Sequence, residues 1–171
     1  MARNVEIKAR VTDYAKLGER LIALTGQHPT PVVQDDSFFP CPHGRLKLRT
    51  FADGSGKLIF YRRADQTGPK ESCFVVSATP DAQSLRETLS QALGEAGRVR
   101  KQRTEFAIGD AHLHLDRVEG LGDFVEIEVA LADDQSVASG QQEARRLMHL
   151  LEIGEADLVD AAYWDLLAAM R

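Results

Sequence analysis

The chain has 171 residues and a formal net charge of −5, a length that suits one domain and a balance that argues against a surface built to coat nucleic acid. Hydrophobic residues make up 43% of it, enough for a sizeable core. No apolar run is long enough to span a membrane, and Met1-Ala2-Arg3-Asn4 leads into a strand pattern with no signal-peptide core. These features predict a cytoplasmic protein with no membrane partner. Cys41 and Cys73 lie far apart and outside any CxxC spacing, so they read as reduced thiols.

In chain order, Asn4 to Val11 alternates, with Val5, Ile7, Ala9 and Val11 on one face and Asn4, Glu6, Lys8 and Arg10 on the other, which predicts a strand. Thr12-Asp13 caps a helix carrying Leu17, Leu21 and Leu24, and Gly26 ends it. After Pro29 and Pro31, Val32 to Phe39 reads as a strand and Pro40 to Gly44 as a turn-rich loop. Arg45 to Arg49 alternates basic with apolar, and Lys57 to Arg63 is its hairpin partner across Asp53-Gly54-Ser55-Gly56. Gln66 to Lys70 reads as a polar turn and Ser72 to Ser77 as a short strand. A helix opens at Pro80-Asp81, with Ser84 and Glu87 at capping-box spacing, and stops at Gly94 or Gly97. Three strands follow, Val99 to Phe106, His112 to Val118 and Asp123 to Leu131. Asp133 to Gly140 reads as loop. One helix then carries Leu147, Leu150 and Leu151, and a last one runs from Glu155 to the end with Leu158, Ala162, Leu166 and Leu167.

The strand Asp123 to Leu131 sets the problem. Val125, Ile127, Val129 and Leu131 share one face, while Phe124, Glu126, Glu128 and Ala130 share the other. Two carboxylates about 7 Å apart on one face repel unless cations lie opposite. Other strands supply those cations on their polar faces: Lys8 and Arg10, Arg45, Lys47 and Arg49, Arg63, and Lys101 and Arg103. Either the charged faces lie in solvent over a dry core, or helices cover the apolar faces and the charges line a lumen. So many strands in a small domain curl or close, and the segregation of charge by strand favours the lumen. The expected architecture is therefore α+β, a closed or nearly closed antiparallel β-barrel with a polar charged lumen, flanked by helices. A basic wall binds a chain of phosphates through charge-assisted hydrogen bonds, and an acidic wall holds Mg²⁺ or Mn²⁺.

The chain resembles the CYTH domains, or triphosphate tunnel metalloenzymes, over nearly its whole length, residues 1–171 forming one such domain. The resemblance rests on Val5-Glu6-Ile7-Lys8, Gly44-Arg45-Leu46-Lys47-Leu48-Arg49, Tyr61-Arg62-Arg63-Ala64-Asp65 and Val99-Arg100-Lys101-Gln102-Arg103. It is strongest at Leu115-Asp116-Arg117-Val118-Glu119-Gly120-Leu121-Gly122 followed by Phe124-Val125-Glu126-Ile127-Glu128. The opening Arg3 to Lys8 looks most like the class IV, CyaB-type adenylyl cyclase branch. The resemblance implies metal-binding carboxylates at Glu6, Asp116, Glu126 and Glu128, and triphosphate contacts at Lys8, Lys47, Arg49, Arg63, Lys101 and Arg103. It also implies catalytic roles for Glu6, Lys8, Glu126 and Glu128. Asn4 stands where the family's first Glu is expected, and a one-residue slip would exchange Arg63 for Arg62. The implied partner is a small triphosphate, namely ATP, tripolyphosphate or thiamine triphosphate. A homodimer is compatible with the resemblance, although no surface stripe marks one.

Three activities follow as expectations. A cyclase would turn ATP into cyclic AMP and pyrophosphate. A triphosphatase would use water as the nucleophile. A binding module would hold the anion without turnover, and the neutral Asn4 is its best support. Among single residues, His112, His114 and Asp116 form a His-x-His-x-Asp face that is also the start of a transition-metal motif, with His114 read first as a hydrogen-bonding lumen residue. Tyr163 and Trp164 read as core packing, and Asp35 and Asp36 as either turn or lumen groups.

Overall fold

A computed structural model of the chain describes residues 1–170. Its elements are β1 (Ala2–Arg10), α1 (Tyr14–Thr25), β2 (Val32–Phe39), β3 (Arg45–Thr50), β4 (Gly56–Arg63), β5 (Lys70–Thr79), α2 (Ala82–Leu93), β6 (Gly97–Ile108), β7 (Ala111–Val118), β8 (Gly122–Leu131), α3 (Val137–Leu150) and α4 (Tyr163–Ala169). The strands close into an antiparallel barrel in the order β1-β5-β4-β3-β2-β6-β7-β8. Closure is made by β1 against β8, where Lys8 lies opposite Glu126 and Glu6 opposite Glu128. With no edge left, every strand finds two hydrogen-bonded neighbours.

The apolar strand faces point outward. Val5, Ile7, Leu113, Leu115, Ile127 and Val129 pack against Leu21 of α1 and Ala144, Leu147 and Met148 of α3, so the main core lies between the barrel wall and these helices. Gly140 sits inside α3 because a Cβ there would come within 2.8 Å of Val5 and Leu131, and its absence lets the helix lie directly on β1 and β8. The region expected to be loop up to Gly140 is therefore shorter. Ser136 accepts from Ser139 N and starts the helix at Val137.

A second cluster closes one end of the barrel, where Phe38, Val99, Val118 and Phe124 meet Tyr163, with Trp164, Leu166 and Leu167 against them. The long final helix expected from Glu155 is interrupted. A 3₁₀ turn covers Glu155–Asp157. The chain then extends so that Leu158 bridges Ala9 and Val159 N donates to Lys8 O at 2.8 Å, and α4 begins only at Tyr163. Pairing with β1 outcompetes helix propensity there. Two further sequence expectations shift. The cap of α2 is Asp81, accepting from Ser84 N at 3.0 Å, in place of a Ser84–Glu87 box. Lys70 belongs to β5 and not to a turn.

Gly97 opens β6 against the ring of Trp164, and a Cβ at Gly97 would lie 1.9 Å from that ring, which stacks on Phe38 with centroids 6.4 Å apart. Gly97→Ala is expected to cost about 1–3 kcal/mol through overpacking, or roughly 2–4 °C of thermal midpoint per kcal/mol in a chain of this size. Scanning calorimetry with tryptophan emission checks this. An unchanged midpoint would mean that α4 can move off the barrel end without loss.

Candidate active site

The lumen is a cavity of about 680 Å³ into which strands from the whole barrel project alternate side chains. Glu6, Lys8, Lys47, Arg49, Arg63, Lys101, Arg103, Glu126 and Glu128 all line it, as the alternation predicts. Register decides between the two arginines of β4: Arg63 is inside and Arg62 is exposed on the outer face. The aspartates of β2 divide in the same way. Asp36 faces the lumen, whereas Asp35 pairs on the outside with Arg98 at 2.6 Å and Arg100 at 3.3 Å.

Around the barrel, β7, β8 and β1 carry most of the carboxylates, and β3, β4 and β6 most of the cations. Ion pairs knit the two regions together. Asp36 accepts from Arg49 at 2.7 and 2.8 Å and from Lys47 at 3.1 Å. Burial alone would raise its pKa, yet the neighbouring Arg49 and Lys47 outweigh that and hold the carboxyl below its ordinary range. Glu6 accepts from Arg63, whose Nε and Nη2 remain buried without a partner. Burial, reinforced by Glu128 and Glu126 against the pull of Arg63, raises Glu6 above its ordinary value. Glu126 contacts Arg103 and lies 3.3 Å from Lys8 Nζ. Burial and the neighbouring Arg103 push Lys101 down to about 7.

Asp116 is 0% exposed. It accepts from Arg103 at 2.7 and 2.6 Å and from Tyr163 Oη at 3.0 Å, with Lys101 Nζ 3.3 Å away. Its oxygens are thus engaged in orienting the basic groups. Two other sets gather at the mouth side: Glu105, His112 and His114, and His114, Glu126 and Glu128, each within 4.8 Å among its own ligand atoms. His114 belongs to both. Asn4 donates from Nδ2 to Glu128 at 3.4 Å, leaving its buried Oδ1 unpartnered.

Tyr163, read from sequence as packing, does more. Its ring lies 3.9 Å beneath Lys8 Nζ and 5.0 Å from Lys101 Nζ, a cation–π seat, while its hydroxyl fixes Asp116. Nothing in the local pattern of the last helix marks it, because its partners lie on β1, β6 and β7. Lys70 is also fully buried, donating to Gln66 O at 2.9 Å, and burial together with Arg63 pushes it down to about 8. Extending the Ser72, Phe74, Val76 alternation two residues upstream would have found it. Val32, Ile59, Phe74 and Val76 from the strands, with Phe51 from the β3–β4 turn, add an apolar wall to the cavity, at its mouth where Val32 and Val76 are exposed.

Among the described residues, no helix is long and apolar enough to cross a membrane. The chain is 26% identical over 170 residues to adenylate cyclase CyaB of Aeromonas hydrophila, covering 93% of this chain and 85% of that protein. Its fold is similar to that of the PH1012 protein from Pyrococcus horikoshii OT3, with a TM-score of 0.84 at 22% identity over 95% of this chain and 98% of that one. It is also similar in fold to HpAC1 from Hippeastrum, an adenylyl cyclase by name that shows a dominant triphosphatase activity, with a TM-score of 0.64 at 14% identity over 100% and 97% of the two chains. The CYTH domain family matches residues 2–163, nearly the whole of the barrel and the helices around it, and the chain belongs to that family.

Proposed function

We propose that this chain is a divalent-cation-dependent enzyme that binds a triphosphate in the barrel lumen, and that its reaction converts ATP to cyclic AMP and pyrophosphate. The observation that carries the reading is one cavity presenting buried, partly unpartnered donors to an anion beside carboxylates suited to a cation. Lys8, Lys47, Arg49, Arg63, Lys101 and Arg103 bind the phosphate oxygens, with the free Nε and Nη2 of Arg63 aimed for this task. The unpartnered Asn4 Oδ1 and the oxygens of Glu6, Glu126 and Glu128 fit a hard divalent ion, Mg²⁺ or Mn²⁺. When bound, that ion would neutralise charge on the phosphate oxygens. Asp116, a fourth ligand by family resemblance, takes the role of holding Arg103, Lys101 and Tyr163 in place.

In the cyclase reaction the ribose 3′-oxygen forms a bond to the α-phosphorus and loses its proton to water, the bond from the α-phosphorus to the α–β bridging oxygen breaks, and pyrophosphate leaves. The lumen cations keep the triphosphate in line and stabilise the charge that moves onto the leaving group. The apolar wall at the mouth offers a surface for a base, which favours an organic triphosphate over tripolyphosphate. Likeness to CyaB supports the cyclase. Hydrolysis by water of ATP, thiamine triphosphate or tripolyphosphate is the second reading, and it is favoured by the likeness to HpAC1. Free Cys41 and Cys73 fit a reducing, cytoplasmic setting.

Phosphorus-31 NMR of the full chain with ATP and, separately, tripolyphosphate, in Mg²⁺ and then Mn²⁺, tests the proposal. Pyrophosphate and cyclic AMP from ATP are expected. Orthophosphate would make the chain a triphosphatase, and perturbed resonances without product would make it a binding module.

A further inference from the structure

Oxygen donors alone suit Mg²⁺, whereas an imidazole nitrogen favours a first-row transition ion over Mg²⁺. The acidic region of the lumen contains such a nitrogen. His114 pairs in register with Glu126, and its side chain is 7% exposed. Its Nδ1 lies 3.6 Å from Glu128 Oε1 and 3.9 Å from Glu126 Oε2, and among the described residues it has no hydrogen-bond partner. A buried imidazole kept for packing normally uses both ring nitrogens. Here Nδ1 is fully buried and makes no hydrogen bond among the described residues, while Nε2 faces Glu105 Oε2 at the ion-pair distance of 3.6 Å.

That outer contact has its own support, since His112 Nδ1 lies 3.0 Å from Glu105 Oε1. A carboxylate on the far nitrogen is the arrangement that fixes the ring and tautomer of a metal-binding histidine. The spacing agrees. Two ligands about 2.1 Å from one ion stand roughly 3 Å apart when adjacent and roughly 4.2 Å apart when opposite, and both separations from Nδ1 fall inside that interval. Asn4 Oδ1, buried and unpartnered beside Glu128, adds a neutral oxygen where an acidic residue would otherwise contribute charge.

Resting on the triphosphate reading above, we propose that His114 Nδ1 is a direct ligand of the lumen cation together with Glu126 and Glu128, and that this nitrogen makes the site select Mn²⁺ over Mg²⁺. Glu105 is then a positioning residue acting through His114, and His112 acts only through Glu105.

The test is pulsed EPR of Mn²⁺ bound to the full chain without nucleotide, with Mn²⁺ and Mg²⁺ affinities measured in parallel. Wild type is expected to show nitrogen modulation from a directly bound imidazole. His114→Gln should lose it and bind Mn²⁺ at least about 10-fold more weakly, since loss of even a group that only orients a ligand costs that much, with Mg²⁺ affinity changed by less than about two-fold because its oxygen ligands remain. His112→Gln should keep the modulation. If His114→Gln does not fold, wild type carrying ¹⁵N-histidine should show the nitrogen frequencies of the heavier isotope. Oxygen-only coordination in wild type, or modulation that survives His114→Gln, overturns the proposal. If ATP is still turned over in that case, the triphosphate reading stands alone. Failure to bind Mn²⁺ together with no turnover overturns both.

Discussion

Glu126→Gln is expected to reduce metal-dependent turnover of the triphosphate by at least about 100-fold, the scale on which removal of one preorganised charged contact acts, while the barrel remains folded. The fold survives because the cations around Glu126 keep other partners. Arg103 retains both bonds to Asp116, and Lys8 still donates to Ala161 O at 3.2 Å and sits over Tyr163. The substitution also relieves repulsion, since Glu126 is one of the charges that raise Glu6. What is lost is a full negative charge in the cation-binding set, and an amide oxygen is a poorer ligand for a hard ion. Steady-state kinetics alongside far-UV circular dichroism separates the two effects. Unchanged turnover in a folded variant would remove Glu126 from the site.

The largest effect on stability belongs to Asp116→Asn. This carboxylate is fully buried and is shared by Arg103, Lys101 and Tyr163, so neutralising it leaves two cations facing each other in a desolvated place. Breaking one side of a buried charge cluster costs about 3–5 kcal/mol, which at roughly 2–4 °C per kcal/mol places the fall in thermal midpoint at about 6–20 °C. Two features keep the loss towards the lower end. Arg103 still has Glu126, and Lys101, already down at about 7, can shed its proton. Tripolyphosphate should restore more of the midpoint in the variant than it adds to wild type, because the polyanion supplies the missing negative charge to Arg103 and Lys101. Scanning calorimetry with and without tripolyphosphate measures both quantities. A fall of less than about 1 kcal/mol, near the median for exposed pairs, would show that Asp116 does not anchor these cations.

Much of this organisation is legible in the chain. Strict alternation in β1, β3, β4, β6 and β8 marks which side chains share a face, and of the charged residues singled out on those faces all but Arg10 and Arg45, at strand ends, line the cavity. Asp116 was also on the correct face, but its depth beside Arg103 and beneath Tyr163 turns it into an anchor. Elements whose form depends on distant partners were less legible. Residues 158–162 extend because β1 offers backbone partners at Lys8 and Ala9. Gly140 lies within a helix because Val5 and Leu131 need the space.

By itself, then, the sequence determined the strands, their two faces and the sorting of acidic from basic residues among them, since a period of two residues and side-chain charge are local properties. Alternation is identical for a dry core and a charged lumen, so the sequence favoured the lumen only through the segregation of charge by strand, and the tertiary structure decided that this face is enclosed. Closure of β1 on β8, with α1 and α3 buried against the outer wall, places the apolar faces outside and draws Lys8, Arg103 and Glu126 into contact. The same closure converts one-residue register into function, putting Arg63 and Asp36 in the lumen and their neighbours Arg62 and Asp35 on the exterior.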